Sequence, residues 1–287
     1  MPGNTERLAV IGAGTMGHGI AYIAALAGYR VCLADANEAI LAIAEKKIAA
    51  AFDKAIERGK ATAEAKSDAL RQLQLTTEPK MAVGDAAIVI EAVPENLELK
   101  RAIFSEVERD APPDALLGTN TSSLSVSSIA QPLHRPDRFI GLHFFNPVPV
   151  MKLLEVVRGD ATSDETVQRS RDLAGRLGKT PIVVRDTPGF ATSRLGVVLG
   201  LEAIRMLEQG VASAEDIDHA MELGYNHPMG PLRLTDLVGL DIRLAIADHL
   251  HETFGEDTYR APQLLRRMVA EGRLGKKSGR GFYEWEE

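Results

Sequence analysis

Short apolar runs recur along the chain as far as Val184, and helical spacing fills most of the gaps between them. Runs that are apolar on both faces and alternate with helices are typical of a mostly parallel sheet with helices on each side. The pattern therefore predicts an α/β domain, with strands at Leu8-Ala9-Val10-Ile11, Val31-Cys32-Leu33-Ala34, Ala86-Ala87-Ile88-Val89-Ile90, Leu116-Leu117, Phe139-Ile140-Gly141-Leu142 and Ile182-Val183-Val184.

Two stretches depart from this alternation. The crossover from Asp35 to Glu78 is long, and its pattern from Ala39 to Leu73 predicts a helical pair inserted after the second strand. Beyond Asp186 the strand runs stop, and helical periodicity continues to Arg273. We therefore predict a sheet domain over residues 1–186 and an all-α domain over residues 187–287.

The helical part also contains local sequence signals for the start and end of helices. Ser213 followed by Asp216 resembles a capping box and predicts a helix start. The loop His227-Pro228-Met229-Gly230-Pro231 predicts a break before the next helix.

A glycine motif, Gly12-Ala13-Gly14-Thr15-Met16-Gly17, directly follows the first strand and opens the helical run from Met16 to Ala27. In this context the first glycine permits a tight turn, the second lets backbone approach a pyrophosphate, and the third lets the helix pack on the strand. The motif alone is weak, but its position between strand and helix predicts a Rossmann-type dinucleotide site.

Asp35 ends the second strand, where this fold places the acid that binds the adenosine ribose. Its carboxylate would repel a 2′-phosphate, and no arginine immediately follows it. The predicted cofactor is therefore NAD rather than NADP.

A candidate proton-transfer pair lies on the two arms of the segment from His143 to Glu155. If the chain folds back at the Pro-Val-Pro turn as a hairpin centred on Pro149, His143 faces Glu155. A carboxylate on one imidazole nitrogen fixes the tautomer and stabilises the imidazolium, so the other nitrogen can take a proton from a hydroxyl. From the residues alone, a structural role for His143 is an equal alternative, and His227 is its only serious rival.

Asn120-Thr121-Ser122-Ser123 follows another strand and should emerge at the carboxyl edge of the sheet, where ligands bind in such folds. Its hydroxyls could hold a substrate oxygen. The alternative is that one of the serines caps a helix from Leu124 to Ala130.

Composition narrows the possible functions. The net charge of −7 disfavours nucleic-acid binding. The single cysteine, Cys32, excludes an internal disulfide and favours a reducing compartment, which for this chain we expect to be the cytoplasm. The histidines and the cysteine show no metal-ligand spacing, so we expect no metal site.

No apolar stretch has the length of a membrane span. The stretch from Leu8 to Ala27 could be mistaken for a signal peptide, but glycines interrupt it and only Arg7 supplies a basic flank. We therefore expect no membrane association.

The chain resembles the 3-hydroxyacyl-CoA dehydrogenase family, and within it the 3-hydroxybutyryl-CoA dehydrogenase type, over nearly its full length. The segments that carry the resemblance are Glu91-Ala92-Val93-Pro94-Glu95-Asn96, Asn120-Thr121-Ser122-Ser123, His143-Phe144-Phe145-Asn146-Pro147, Asp186-Thr187-Pro188-Gly189-Phe190 and Gly275-Lys276-Lys277-Ser278-Gly279-Arg280-Gly281-Phe282-Tyr283.

The resemblance implies NAD-dependent oxidation of a short-chain (S)-3-hydroxyacyl-CoA to the 3-ketoacyl-CoA, or the reverse reduction. It implies that His143 is the general base, that Glu155 orients it and that Ser122 holds the reacting oxygen. It also implies a homodimer through the helical domain, and contacts with the nicotinamide half of NAD from Glu95, Lys100, Asn146 and Lys277.

One position departs from the family pattern. Ser193 stands before Arg194 where the family usually has a substrate-contacting asparagine, which leaves the substrate range open. In the family, CoA lies against the inserted helical pair, where Lys54, Arg58 and Lys60 could bind its phosphates or simply form a solvated face.

Two other functions remain as alternatives from the sequence. A relative in the wider hydroxyacid dehydrogenase group would oxidise a free hydroxy acid or sugar acid. A non-catalytic NAD-binding protein is the other, and the presence of Ser122, His143 and Glu155 argues against it.

Overall fold

The computed structural model of the protein describes residues 6–286. The chain forms two compact units, the first ending at Thr187 and the second beginning at Pro188.

The first unit is built on one sheet, which contains eight strands within the described residues. The strands are β1 (Arg7–Ile11), β2 (Arg30–Ala34), β3 (Gln74–Thr76), β4 (Ile88–Glu91), β5 (Leu116–Thr119), β6 (Phe139–Phe144), β7 (Leu153–Arg158) and β8 (Thr180–Arg185). Their order is β3-β2-β1-β4-β5-β6-β7-β8, and only β6 and β7 pair antiparallel. The predicted mostly parallel sheet is confirmed.

The helices of the first unit connect these strands. They are α1 (Thr15–Leu26), α2 (Glu38–Glu57), α3 (Ala63–Gln72), α4 (Pro79–Val83), α5 (Leu97–Asp110), α6 (Val126–Ala130) and α7 (Asp164–Arg176).

The core of this unit explains why the strand runs are apolar without alternation. Leu8, Ala9 and Val10 of β1 have no exposed surface, so both faces of the central strand are covered. On one face α1 contributes Ile20 and Ala24, which are also fully buried.

The predicted helical pair after β2 is confirmed as α2 and α3. Asn37 caps α2 by accepting from the Ala39 amide, and Thr62 caps α3 by accepting from the Ala65 amide. Strand β3 was not predicted. It lies at the edge of the sheet and contains Leu75 between two polar residues, so it offers little apolar signal.

The predicted helix from Leu124 needs a correction. Helix α6 begins at Val126, and its cap is Ser125, not Ser122 or Ser123. Asp186 accepts from the amides of Val126 and Ser127, so a carboxylate distant in sequence also satisfies this helix start.

The second unit is helical, as predicted. Its helices are α8 (Thr192–Glu208), α9 (Ala214–Gly224), α10 (Pro231–Val238), α11 (Leu240–Phe254) and α12 (Gln263–Ala270). Ser213 caps α9 by accepting from the Asp216 amide at 3.1 Å, which confirms the predicted helix start. The predicted break at His227 is the loop between α9 and α10.

A buried carboxylate fastens the C-terminal segment to this unit. Asp236 is 1% exposed and accepts from the backbone amides of Phe282 and Tyr283 and from the indole N–H of Trp285. No helix within residues 6–286 has the length and apolar character needed to cross a membrane.

Candidate active site

The glycine loop between β1 and α1 has the geometry that a phosphate group needs. Gly12 has φ +98°, and a Cβ on Gly17 would lie 1.7 Å from the Gly12 carbonyl oxygen. A Cβ on Gly14 would have no neighbour within 4 Å. The backbone conformation at Gly12 and the close packing at Gly17 thus require glycine. Gly14 has no such constraint and leaves its backbone open to a ligand at the N-terminus of α1.

Asp35 lies beside this loop, immediately after β2. Its Oδ2 accepts from the Ala13 amide at 2.8 Å and its Oδ1 from the Asn37 amide at 2.9 Å. The carboxylate is therefore fixed against the loop, and each of its oxygens has a further lone pair for a hydroxyl donor.

Five of the predicted cofactor residues line one cavity of about 780 Å³. Its lining includes Gly12, Gly14, Thr15, Met16 and Asp35. Apolar side chains from α2 and α5 complete its walls, as an adenine ring requires. The unobstructed backbone at Gly14, the helix start and the fixed carboxylate together fit the adenosine and pyrophosphate of NAD.

His143 and Glu155 form a buried pair on β6 and β7. The antiparallel register places them directly opposite each other, which confirms the predicted hairpin. Nδ1 of His143 donates to Oε2 of Glu155 at 2.7 Å. Glu155 has no exposed surface and His143 is 7% exposed, so the carboxylate holds the ring in one orientation and can stabilise its positive charge.

The turn that joins these arms is fixed by a lysine that the sequence did not single out. The ammonium of Lys179 is buried and donates to the carbonyl oxygens of Val148 and Met151. Burial lowers the pKa of Lys179. Asn146, one of the predicted nicotinamide contacts, lies exposed in the same turn.

The loop after β5 surrounds the carboxylate of Glu95. One oxygen, Oε1, accepts from the Thr121 hydroxyl at 2.6 Å and from the amides of Ser122 and Ser123 at 2.9 and 3.0 Å. Burial raises the pKa of Glu95, but these donors and the charge of Lys100 outweigh it and leave the pKa below its ordinary value. Glu95 is therefore ionised, and Ser122 is held by it.

Lys100, another of the predicted nicotinamide contacts, lies between two carboxylates. Its ammonium has no exposed surface and lies 2.6 Å from Glu91 Oε1 and 3.4 Å from Glu95 Oε2. These two carboxylates hold the ammonium in place.

In the second unit, Ser193 is half-buried in the first turn of α8. Its neighbour Arg194 donates to the Tyr259 hydroxyl at 2.7 Å and lies over the ring of Phe254. Lys277 follows α12 in a short turn, and its ammonium lies 2.6 Å from Asp241.

The basic candidates for CoA lie at the end of α2. Lys54 is in its last turn, Arg58 is its C-cap residue, and Lys60 follows shortly after. All three side chains are exposed, and among residues 6–286 none of them forms an ion pair.

The remaining histidines have structural or solvent-exposed settings. His18 lies in α1, as predicted, with its ring 2.7 Å from the Gly14 carbonyl oxygen, and burial lowers its pKa. His227 is half-buried in the loop after α9. His143 is the histidine that the described residues pair with a buried carboxylate.

Sequence reasoning missed Glu91 as a site residue. It ends β4 with no exposed surface and anchors Lys100. A glutamate that ends an otherwise apolar strand is a detectable signal, because a fully buried carboxylate needs a partner. No pattern in the sequence identifies Lys179, since its acceptors are backbone carbonyls.

Comparison with known proteins agrees with this geometry. Residues 7–187 match the model of the 3-hydroxyacyl-CoA dehydrogenase NAD-binding domain, and residues 189–285 match that of the 3-hydroxyacyl-CoA dehydrogenase C-terminal domain.

Individual relatives are similar over almost the whole chain. A 3-hydroxybutyryl-CoA dehydrogenase of Mycobacterium tuberculosis is 44% identical, with 98% of each chain covered. The mitochondrial hydroxyacyl-coenzyme A dehydrogenase of Homo sapiens is 43% identical, with 98% of this chain and 91% of that one covered.

Among solved structures, that of the (S)-3-hydroxybutyryl-CoA dehydrogenase of Ralstonia eutropha superposes with a TM-score of 0.94 at 40% identity, covering 99% of this chain and 100% of that one. Both parts of the chain therefore match models of one family. The same chain contains the glycine loop, the Asp35 carboxylate and the buried His143–Glu155 pair. The chain belongs to the 3-hydroxyacyl-CoA dehydrogenase family, whose N-terminal domain binds NAD.

Proposed function

We propose that this protein interconverts a short-chain (S)-3-hydroxyacyl-CoA, such as 3-hydroxybutyryl-CoA, and the 3-ketoacyl-CoA, with NAD as the hydride carrier. NAD supplies the redox chemistry by taking up or returning a hydride at its nicotinamide ring. The chain supplies the proton path and the alignment of the substrate.

His143 is the proposed general base and acid. Since its Nδ1 donates to Glu155, Nε2 is the atom that takes the proton of the 3-hydroxyl during oxidation and returns it during reduction. Glu155 keeps this tautomer and stabilises the imidazolium that forms. This buried pair, at 2.7 Å, is the observation that carries the proposal.

Ser122 is the proposed contact of the reacting oxygen. It emerges after β5, and β5 and β6 run parallel, so Ser122 and His143 lie at the same edge of the sheet. The oxygen of a 3-keto or 3-hydroxy group could then be shared between a hydroxyl and an imidazole. Asn146 and Glu95 are the proposed contacts of the nicotinamide half of NAD in this unit, and Lys277 is the one in the second.

A CoA thioester is proposed as the substrate form because of its phosphates. The chain carries a net charge of −7, yet Lys54, Arg58 and Lys60 are exposed together on the inserted helical pair without acidic partners among residues 6–286. Such a local group of cations can bind an anionic cofactor moiety that the rest of the surface would repel. Ser193, in place of the family asparagine, is proposed to shape substrate range.

The test measures loss of nicotinamide absorbance when purified protein is mixed with NADH and either acetoacetyl-CoA or free acetoacetate. Activity only with the thioester is the expected result. Equal turnover of the free acid would favour a hydroxyacid dehydrogenase, and no turnover of either would favour a non-catalytic role.

A homodimer through the second unit is the proposed assembly. Exposed apolar side chains lie on three helices of this unit that contact one another, namely Leu195 on α8, Leu234 and Leu237 on α10 and Ile242 on α11. The adjacent Arg243 is 4% exposed, and its Nε has no hydrogen-bond acceptor among the described residues. A second copy would cover the apolar side chains and could supply an acceptor.

A further inference from the structure

A fully buried ion pair lies behind the loop that carries Ser122. Glu91, the last residue of β4, and Lys100, in the first turn of α5, both have no exposed surface, and their charged atoms are 2.6 Å apart. Burying both ions is costly unless every lone pair and proton is satisfied. Glu91 accepts three hydrogen bonds, since besides that of Lys100 it accepts from the Val93 amide at 2.7 Å and the Thr119 hydroxyl at 2.6 Å.

The pair continues outward to a second carboxylate. Lys100 is 3.4 Å from Oε2 of Glu95, whose side chain is 33% exposed. The other oxygen of Glu95 receives the hydroxyl of Thr121 and the amides of Ser122 and Ser123. One ammonium thus lies between two carboxylates, and the outer carboxylate holds the loop.

We propose that Glu91 and Lys100 are positioning residues that set the place of Ser122 through Glu95. Because Glu91 is the nearer carboxylate, it keeps the ammonium on the inner side, and Glu95 can direct one oxygen to the loop. This inference rests on the proposed function, in which Ser122 contacts the reacting oxygen.

The first test is Glu91→Gln, which keeps the shape of the side chain and removes its charge. The ammonium of Lys100 is then attracted only to Glu95, and Glu95 is drawn away from the loop. A small displacement at a reacting group can cost about 100-fold in rate, so we expect kcat for acetoacetyl-CoA reduction to fall by roughly tenfold or more.

A matched control separates this effect from general destabilisation. Glu108 lies on α5, the helix that carries Lys100, and its side chain is 10% exposed. It holds a different loop by accepting from the amides of His134 and Arg135 at 2.8 Å. Glu108→Gln should lower Tm in the same way and leave kcat close to that of the wild type.

A double-mutant cycle with Ser122→Ala tests whether Glu91 affects kcat by positioning Ser122. If Glu91 acts by positioning Ser122, Glu91→Gln should lower kcat much less in the Ser122→Ala background, by under about threefold, because coupled residues are not additive. Equal fold-losses in both backgrounds would overturn the inference.

A second variant covers the case in which Glu91→Gln folds poorly. Glu91→Gln combined with Lys100→Met removes both buried charges, which often restores stability. We expect Tm to recover while kcat stays below that of the wild type, because Oε2 of Glu95 then has no ammonium to hold it. Recovery of kcat together with Tm would show a purely structural pair. If the wild type itself reduces no acetoacetyl-CoA, the proposed function fails first, so the two failures are distinguishable.

Discussion

At the scale of single residues, the pairing of His143 with Glu155 defines the proposed chemistry. The imidazole is 7% exposed and its Nδ1 is committed to a carboxylate that has no exposed surface. We expect His143→Gln and Glu155→Gln each to lower kcat by roughly 100- to 10,000-fold, the usual range for a lost general base. NADH affinity, measured by fluorescence titration, should persist in both variants. Near-wild-type turnover in both would refute the role of the pair.

Asp35 is the residue that should decide cofactor choice. A 2′-phosphate close to this carboxylate would be repelled by about 1 to 4 kcal/mol, depending on the local dielectric. We expect Asp35→Ser to narrow the ratio of kcat/KM values for NADH over NADPH by roughly tenfold or more. The absolute value for NADH should also fall, because Asp35 accepts from the Ala13 amide of the glycine loop. An unchanged ratio would contradict the assignment.

Residue-level predictions succeeded where local geometry decided the outcome. The hairpin about Pro149 pairs His143 with Glu155 once the turn is recognised, because strand register follows from the position of the turn. The burial of Lys100 between Glu91 and Glu95 was not predicted, because no local pattern reveals it. The positions of Lys179 and of the amides that donate to Asp186 depend in the same way on elements distant in sequence.

At the scale of elements, the glycine loop separates protein packing from ligand approach. A Cβ at Gly17 would collide with the backbone of Gly12, whereas a Cβ at Gly14 would meet no protein atom within 4 Å. We therefore expect Gly17→Ala to lower Tm markedly, and Gly14→Ala to leave Tm nearly unchanged while raising the Kd for NADH. Thermal unfolding and NADH fluorescence would be measured side by side. A large loss of Tm in Gly14→Ala would contradict this division.

The loop after β5 should make stability depend on pH through Glu95. Its folded pKa lies below its ordinary value of 4.5, so Glu95 contributes stability above that value and loses it as pH falls through the folded pKa. We expect Glu95→Gln to be less stable than the wild type near pH 7, with a difference that shrinks below about pH 4. Urea unfolding at both pH values would measure it.

Glu98→Gln provides the control for this comparison, since Glu98 lies close by in sequence, in the first turn of α5, and its side chain is 78% exposed. Its stability difference from the wild type should be small. A difference for Glu95→Gln that stayed constant across the pH range would contradict the contribution of its charge.

Elements were predictable where periodicity was long, as in the helical pair and the second unit. They were less predictable where the element was short, or where its cap came from a residue distant in sequence. Strand β3 depends on pairing with β2, and the start of α6 depends on Ser125 and Asp186. Both are stabilised by partners that lie outside the local window.

At the scale of the whole molecule, the distribution of charge over the surface matters more for ligand binding than the net charge. A chain with a net charge of −7 is proposed to bind an anionic thioester and an anionic dinucleotide. The exposed cations Lys54, Arg58 and Lys60 lie on one insert, where they could bind the phosphates of CoA. The pyrophosphate of NAD would instead contact the unobstructed backbone of Gly14 at the start of α1. Local charge and dipoles, not net charge, therefore set the proposed ligand sites.

The second unit should decide the oligomeric state. Its exposed leucines on α10 are one helical turn apart, so a substitution at both places two charges on one face. We expect the wild type to sediment at twice the 31.0 kDa mass of one chain. Leu234→Glu combined with Leu237→Glu should shift it to the mass of a single chain, because an apolar interface does not tolerate uncompensated charge. Met81→Glu, at a side chain that is 66% exposed in the first unit, should leave the mass unchanged. A wild type that sediments as one chain would contradict the proposed dimer, and a double variant that stays dimeric would place the interface elsewhere.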